Sequence, residues 1–359
     1  MLQKRIGKSK GYQFISLICI ISLGLIMIIG CSSGGGGGTA PAPVPISYTG
    51  LTTQASIDTG DKAKALAAGA YGAGQAGSAF SSIGAVATGT DENTISFRTL
   101  KVTQTLKDAL LQIDLSSVSS GPIIGATQSE SGTITGPCGG TASYTIQVND
   151  QTGVFSGSLN FSSYCDGGVT ISGTTDFSGT LDLSIPNNPT FETVTLSFTN
   201  LTEGSATLSG TIVVDLSSSP IIVTFNARLK DNSTGKVYKV ENYIMEITLG
   251  PDLDFDGDPD YVDVEISSGK YYDPDYGYVD VLTLAPFKIY DGDEYPSSGI
   301  LLVTGETGIG GNNTEAQLEA LDSDTCQITA DTDGDLVYDY DSGVLNWTDP
   351  LSPGAPQAP

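Results

Sequence analysis

Between residues 131 and 250 the sequence alternates apolar and polar side chains with a period of two. The clearest runs are 193–199, 206–216, 221–229 and 169–185. Such alternation gives each strand one buried and one solvated face, which is typical of antiparallel sheets. Gly173 and Gly179, inside the longest run, indicate bends where the sheet curls. We therefore predict a mainly β fold, an antiparallel meander of long strands that is curled and either open or barrel-like.

Two small helices are predicted before this sheet. The first covers about residues 61–79, with Leu66, Ala70 and Ala73 on one face. The second covers about residues 99–113, where apolar side chains recur at the helical spacing of an amphipathic stripe. The members of this second stripe are Val102, Leu106, Ala109, Leu110 and Ile113. We expect both helices to pack on the sheet.

The N-terminus has the pattern of a processing signal. Basic residues precede an apolar run over residues 15–29, which ends at Gly30-Cys31. This junction resembles a bacterial lipobox, which implies transfer of a diacylglyceryl group to the Cys31 thiol and cleavage before it. Ser32 and Ser33 follow, a pattern that by the same resemblance favours the outer membrane. The alternative is an uncleaved membrane anchor, although the run is shorter than the roughly 20 residues a spanning helix needs.

From the changes of composition along the chain we predict six parts. These are a signal peptide (1–30), a Gly- and Pro-rich tether (31–47), a helical segment (48–115), an antiparallel β domain (116–250), an acidic β-rich part (251–349) and a disordered tail (350–359).

The charge balance excludes several functions. The chain holds 15 basic and 41 acidic residues and no histidine. Without histidine there is no His-based catalytic triad and no His-ligated zinc. A net charge of −26 repels nucleic acid and anionic headgroups. We therefore expect no nucleic-acid partner, and we expect the membrane to be reached through the lipid on Cys31.

The strand register of one hairpin can be predicted from its apolar side chains. A turn at residues 150–153 brings apolar residues opposite one another on one face. The pairs are Val148 with Phe155, Ile146 with Gly157, Tyr144 with Leu159, and Ala142 with Phe161. The same register places Cys138 opposite Cys165, and cross-strand neighbours have β-carbons about 4.5–5.5 Å apart. In an oxidising compartment we expect these two residues to form a disulfide; the alternative is two free thiols.

The acidic part contains a candidate metal loop. Residues 251–349 carry 24 acidic residues against Lys270 and Lys288. Counting Asp252 as position one of a twelve-residue run, carboxylates occupy positions 1, 3, 5, 7, 9 and 12, with Gly257 at position six. This pattern resembles an EF-hand calcium loop, in which oxygen ligands alternate and a glycine makes the sharp turn. The resemblance implies calcium ligands at Asp252, Asp254, Asp256, Asp258, Asp260 and Asp263.

The run departs from the EF-hand pattern in three respects. Asp263 is shorter than the usual glutamate, Pro259 occupies position eight, and the flanking residues have strand patterns. We therefore expect a calcium loop carried on strands, and the alternative is a solvated acidic turn.

A second acidic cluster follows a predicted hairpin over residues 318–328, in which Ala320 faces Cys326. Its candidate ligands are Asp331, Asp333, Asp335 and Asp339. Position six is then Leu336 rather than glycine, which makes this the weaker metal candidate.

In overall pattern the chain resembles a broad set of bacterial outer-membrane lipoproteins of undetermined activity. The resemblance implies a fold and a location but no reaction. Our hypothesis is a non-catalytic, lipid-anchored cell-envelope protein with a calcium-stabilised β domain and a structural, adhesive or binding role. The alternatives are a carrier of an apolar or acyl ligand, which needs a large apolar cavity, and a glycoside hydrolase, which needs two convergent carboxylates.

The lipobox resemblance generates the first test. Replacing the lipid acceptor by Cys31→Ser should yield a chain that keeps its leader and carries no lipid. Intact-mass spectrometry of both chains measures this. An unmodified Cys31 in the wild-type protein contradicts the prediction.

Overall fold

The structure, a computed structural model, describes residues 44–78, 109–110, 112–113, 127–166, 168–184, 190–253 and 259–347. Residues 43–359 form one compact unit, and the account below concerns that unit.

The described residues contain helix α1, Gly60–Ser78, and fourteen strands. The strands are β1 Thr127–Thr135, β2 Gly139–Asn149, β3 Val154–Asp166, β4 Val169–Asp182, β5 Thr190–Glu203, β6 Ala206–Asp215, β7 Ile221–Asp231, β8 Val237–Leu249, β9 Tyr261–Asp273, β10 Gly277–Tyr290, β11 Ser298–Thr307, β12 Asn313–Ala320, β13 Thr325–Asp331 and β14 Tyr340–Asn346. Each strand pairs antiparallel with the next, in sequence order. The predicted antiparallel meander is confirmed. The sheet is open, with β1 and β14 at its two edges, so the barrel-like alternative is wrong.

The sheet is continuous across the change of composition at residue 250. Strand β8 pairs with β9 from the Leu249–Val262 partners to the Lys239–Tyr272 partners. The acidic part therefore adds strands to the same sheet, and β9 to β14 share its buried face.

Helix α1 packs on the buried face of the second half of the sheet. The predicted face is confirmed, because Leu66, Ala70 and Ala73 are fully buried. A β-carbon at Gly74 would lie 2.8 Å from the side chain of Ile266, so the glycine lets the helix approach the sheet closely. The alanines and glycines of α1 therefore allow a short distance between the helix and the sheet. Tertiary packing stabilises this helix, although its glycines lower its intrinsic helix propensity.

Most of the second predicted helix lies outside the described residues. Its described members, Ala109, Leu110 and Ile113, are buried, and the first two are helical. The Gln112 amide lies 3.3 Å from the Tyr164 hydroxyl and donates to it, which places this segment against β3. Among the helices that are described, none is long and apolar enough to cross a membrane.

The predicted hairpin register is confirmed up to the cysteines. Strands β2 and β3 pair as expected from Val148–Phe155 to Ala142–Phe161. The register then shifts by one residue, because Thr141 faces Ser162 whereas Gly139 faces Cys165. Cys138 is therefore displaced from its expected place opposite Cys165. The disulfide between them forms across this bulge, with a Cα–Cα distance of 5.1 Å.

The bulge has a local cause. Ser163 has a positive φ of 49°, so one extra residue of β3 is accommodated there. On the partner strand a β-carbon at Gly140 would collide with the Ser163 carbonyl. Glycine at position 140 therefore permits the bulge that carries the bridge.

Antiparallel order places every second loop at the same end of the sheet. Loops that follow odd-numbered strands lie at the end that carries Cys138–Cys165, which we call the disulfide end. The loops 308–312 and 332–339 belong to this end, whereas residues 250–253 and 259–260 lie at the opposite end.

The segment before α1, residues 44–57, crosses the disulfide end, and we call it the strap. The Asn200 side chain donates to the Val44 carbonyl at 2.9 Å. Farther along, Tyr278 N donates to the Thr53 carbonyl, and Ala55 N donates to the Tyr278 carbonyl. On the other side, Glu306 N donates to the Ala55 carbonyl at 2.8 Å. The strap thus fills the gap where β10 and β11 stop pairing.

The disulfide generates a stability prediction. It closes a separation of 27 residues, so the Cys138→Ala/Cys165→Ala chain should lose about 3 kcal/mol of unfolding free energy in the chain-entropy model. Urea unfolding measures the difference. Cys326→Ala is the control, because Cys326 is buried opposite Ala320 as predicted and takes no part in this bridge. Equal losses in both variants would contradict a specific role for the bridge.

Candidate functional site

The two predicted acidic clusters lie at opposite ends of the sheet. In the first, Asp254, Asp256 and Asp258 are outside the described residues. Among the other predicted ligands, Asp252 is half-buried, and Asp260 accepts a hydrogen bond from Leu253 N at 3.2 Å. Asp263 lies in β9 and forms an ion pair with Lys288 at 2.9 Å. The carboxylate expected at position twelve is therefore already engaged across the sheet.

The second cluster brings three of its four predicted residues together. Asp331, Asp333 and Asp335 each present a carboxylate oxygen, and these atoms lie within 4.8 Å of one another. Oxygen ligands at such separations suit a hard divalent cation. The fourth residue, Asp339, instead accepts hydrogen bonds from the Thr332 amide at 3.0 Å and the Thr332 hydroxyl at 2.7 Å. Asp339 therefore fastens the loop and is not part of the group of three.

Asp331 organises the backbone of this loop. Its side chain is 2% exposed. One carboxylate oxygen accepts from Gly334 N at 2.7 Å, and the other accepts from Leu336 N at 2.8 Å. The chain therefore turns around a buried carboxylate at the end of β13.

Leu336 occupies the position at which the EF-hand pattern requires glycine. It has a φ of 72°, in the left-handed region that glycine adopts most easily. Counting from Asp331, it is position six, where an EF-hand loop places its glycine. The sharp turn is therefore present although the expected residue is absent, and no local sequence signal marked this conformation.

The carboxylates of this loop lie close enough to affect one another electrostatically. Desolvation raises the pKa of Asp333, and the nearby carboxylates of Asp335, Asp339 and Asp331 add to the effect. By contrast, hydrogen bonds from Thr332 lower the pKa of Asp339. Since the carboxylates of the group of three repel one another, a positive charge among them would relieve that repulsion.

The neighbouring loop is joined to this one by backbone hydrogen bonds. Gly310 N donates to the Asp333 carbonyl at 2.7 Å, and Asn312 N donates to the Gly334 carbonyl at 3.1 Å. The Asn312 side chain donates to the same Gly334 carbonyl at 3.0 Å. Loops 308–312 and 332–339 therefore form one unit.

A second candidate feature is a groove of about 600 Å³ on the polar face of β1 to β5. Hydroxyl side chains that line it include Ser129, Ser131, Thr145, Ser156, Ser158, Ser178, Thr195 and Ser197. The residues that line it include Glu130 and Asp176, which stand on strands three spacings apart, or about 14 Å between backbones in a flat sheet. That separation exceeds the roughly 5–9.5 Å between the carboxyl groups of glycosidases. Glu130 also belongs to the opposite face, because it pairs with the buried Ile146.

The apolar space beneath α1 is small. A cavity of about 20 Å³ lies between Tyr71, Ile266 and Phe287. Ligand sites occupy about 300–1,000 Å³. This cavity is therefore too small for an acyl chain.

Comparison with known proteins adds no assignment. No protein-family model, no curated protein and no solved structure matches the chain. The carboxylate group at Asp331, Asp333 and Asp335 is consequently the candidate site, on its geometry alone.

The buried carboxylate generates a prediction. Asp331→Ala removes the acceptor of the Gly334 and Leu336 amides, so it should lower the unfolding free energy by about 2 kcal/mol. Asp333→Ala, which removes one charge of the same cluster, is the control and should cost less than half as much. Urea unfolding in the presence of a chelator measures both. A larger loss for Asp333→Ala would show that the turn does not depend on Asp331.

Proposed function

We propose that this protein is a non-catalytic, lipid-anchored component of a bacterial cell envelope, whose β domain is stabilised by calcium. The observation that carries the calcium proposal is the convergence of Asp331, Asp333 and Asp335 within 4.8 Å. The lipobox resemblance at Gly30-Cys31 supports the anchor and its outer-membrane location. The role is structural, adhesive or binding.

The charge distribution supports calcium rather than a softer metal. Carboxylates are the ligands that hard cations prefer, and external calcium modules bind with dissociation constants of roughly 10⁻⁴–10⁻³ M. Residues 251–349 carry a net charge of −22. A divalent cation in this half would offset self-repulsion as well as order one loop.

A scaffold role fits the way the sheet is covered. Helix α1 fills the buried face of the second half with side chains such as Leu66 and Tyr71. Tyr71 stacks on Trp347 with ring centroids 5.0 Å apart. Side-chain packing thus fills the space between the helix and the sheet. Among the described residues, no specific observation favours the carrier or the hydrolase alternative.

Calcium titration tests this proposal. After chelation, calcium at a hundredfold excess over its dissociation constant should add about 2.7 kcal/mol of stability, because it binds only the folded state. Magnesium should add less, since it dehydrates reluctantly. Thermal melts with each ion measure the effect, and Asp333→Asn/Asp335→Asn should remove it.

A charge-matched control separates binding from screening. Glu246→Gln/Glu265→Gln removes the same charge from cross-strand partners on β8 and β9, neither of which is a predicted ligand, and should retain the calcium effect. If both double variants lose it equally, the ion acts by general screening and the site is refuted. An Asp254→Asn/Asp256→Asn chain tests the first predicted loop by the same melts.

A further inference from the structure

The two joined loops at the disulfide end present large apolar side chains to water. Ile309 is 95% exposed, Leu336 is 68% exposed and Val337 is 60% exposed. We call these three residues the apolar tip. Single exposed apolar residues are common on protein surfaces, but these three lie on two loops that are joined by hydrogen bonds.

The two loops of the apolar tip are joined by hydrogen bonds, and one tip residue has a positive φ. Gly310 N and Asn312 N donate to the Asp333 and Gly334 carbonyls, which joins the loop of Ile309 to the loop of Leu336. Leu336 is both exposed and in the left-handed region. A strained backbone held by its surroundings points to a function for the residue that carries it.

The apolar tip lies at the end where the tether enters the fold. The strap begins at Val44, which Asn200 holds near the end of β5. Val44 is 77% exposed, and Leu51 of the strap is 49% exposed. The disulfide end therefore carries the chain toward its N-terminal anchor and also bears exposed apolar side chains of the strap.

The tether is long enough to bring this end to a membrane. Twelve residues lie between Cys31 and Val44, so these two residues are at most about 45 Å apart when the chain is fully extended. Attachment through a short linker raises the effective concentration of the domain at the surface to roughly millimolar values. Contacts too weak to bind a free protein then become sufficient.

We propose that Ile309, Leu336 and Val337 insert into the interface of the bilayer that holds the Cys31 lipid. This inference rests on the proposed lipid anchor. The carboxylates of Asp333 and Asp335 lie on the same loop as Leu336, so the partner is a zwitterionic surface rather than an anionic one. The disulfide end then faces the membrane.

Quenching by brominated lipid tests the contact. The full-length lipidated chain carrying Ile309→Trp is reconstituted in phosphatidylcholine vesicles with or without bromine on the acyl chains. Since the natural Trp347 is buried, bromine should reduce the signal of the introduced tryptophan about twofold, as expected for insertion at the acyl boundary. Val154→Trp, at the exposed start of β3 on the opposite end, should be unaffected. Adding Leu336→Asn and Val337→Asn should abolish the quenching at position 309.

Vesicle flotation tests the lipid anchor independently of the contact between the apolar tip and the membrane. A chain that floats without quenching at position 309 overturns the tip contact and leaves the anchor intact. Quenching at position 154 alone places the opposite end on the membrane and also overturns the inference. A chain that neither floats nor is quenched refutes both proposals.

Discussion

The structure depends on one unbroken antiparallel ladder that runs from β1 to β14 in sequence order. Such a ladder exposes two large faces, and alternation of side chains makes one of them apolar. An apolar face of this size must be covered to exclude water, and α1 covers it over the second half of the sheet. Its alanines and glycines let the helix lie close enough to exclude water from residues such as Ile266 and Tyr271.

Much of this fold follows from local pattern. The pairs Val148–Phe155 and Ala142–Phe161 were predictable, because a two-residue period and a turn leave only one register that buries every apolar side chain. The Ala320–Cys326 pair followed in the same way. The bulge at Ser163 was not predictable, since it arises where Gly140 on the other strand permits a close backbone approach.

The candidate site was predictable only in part. The sequence contains both acidic runs, but cross-strand neighbours decide which carboxylates remain available. Asp263 is engaged because Lys288 is its partner in the β9–β10 register. Asp339 is engaged because the loop folds back to Thr332. Leu336 adopts the conformation expected of glycine because Asp331 accepts its amide, which is a tertiary constraint that no residue type reveals.

The strap has a consequence for the order of assembly. Every strand pair joins neighbours in sequence, so the ladder can form progressively with little loop-closure entropy. The strap is different, because Ala55 is bonded to Tyr278 and Glu306, more than 200 residues later in the chain. The Thr53 and Ala55 part of the strap therefore lacks these backbone partners until β10 and β11 exist. We expect this part of the strap to dock last, against a nearly complete sheet.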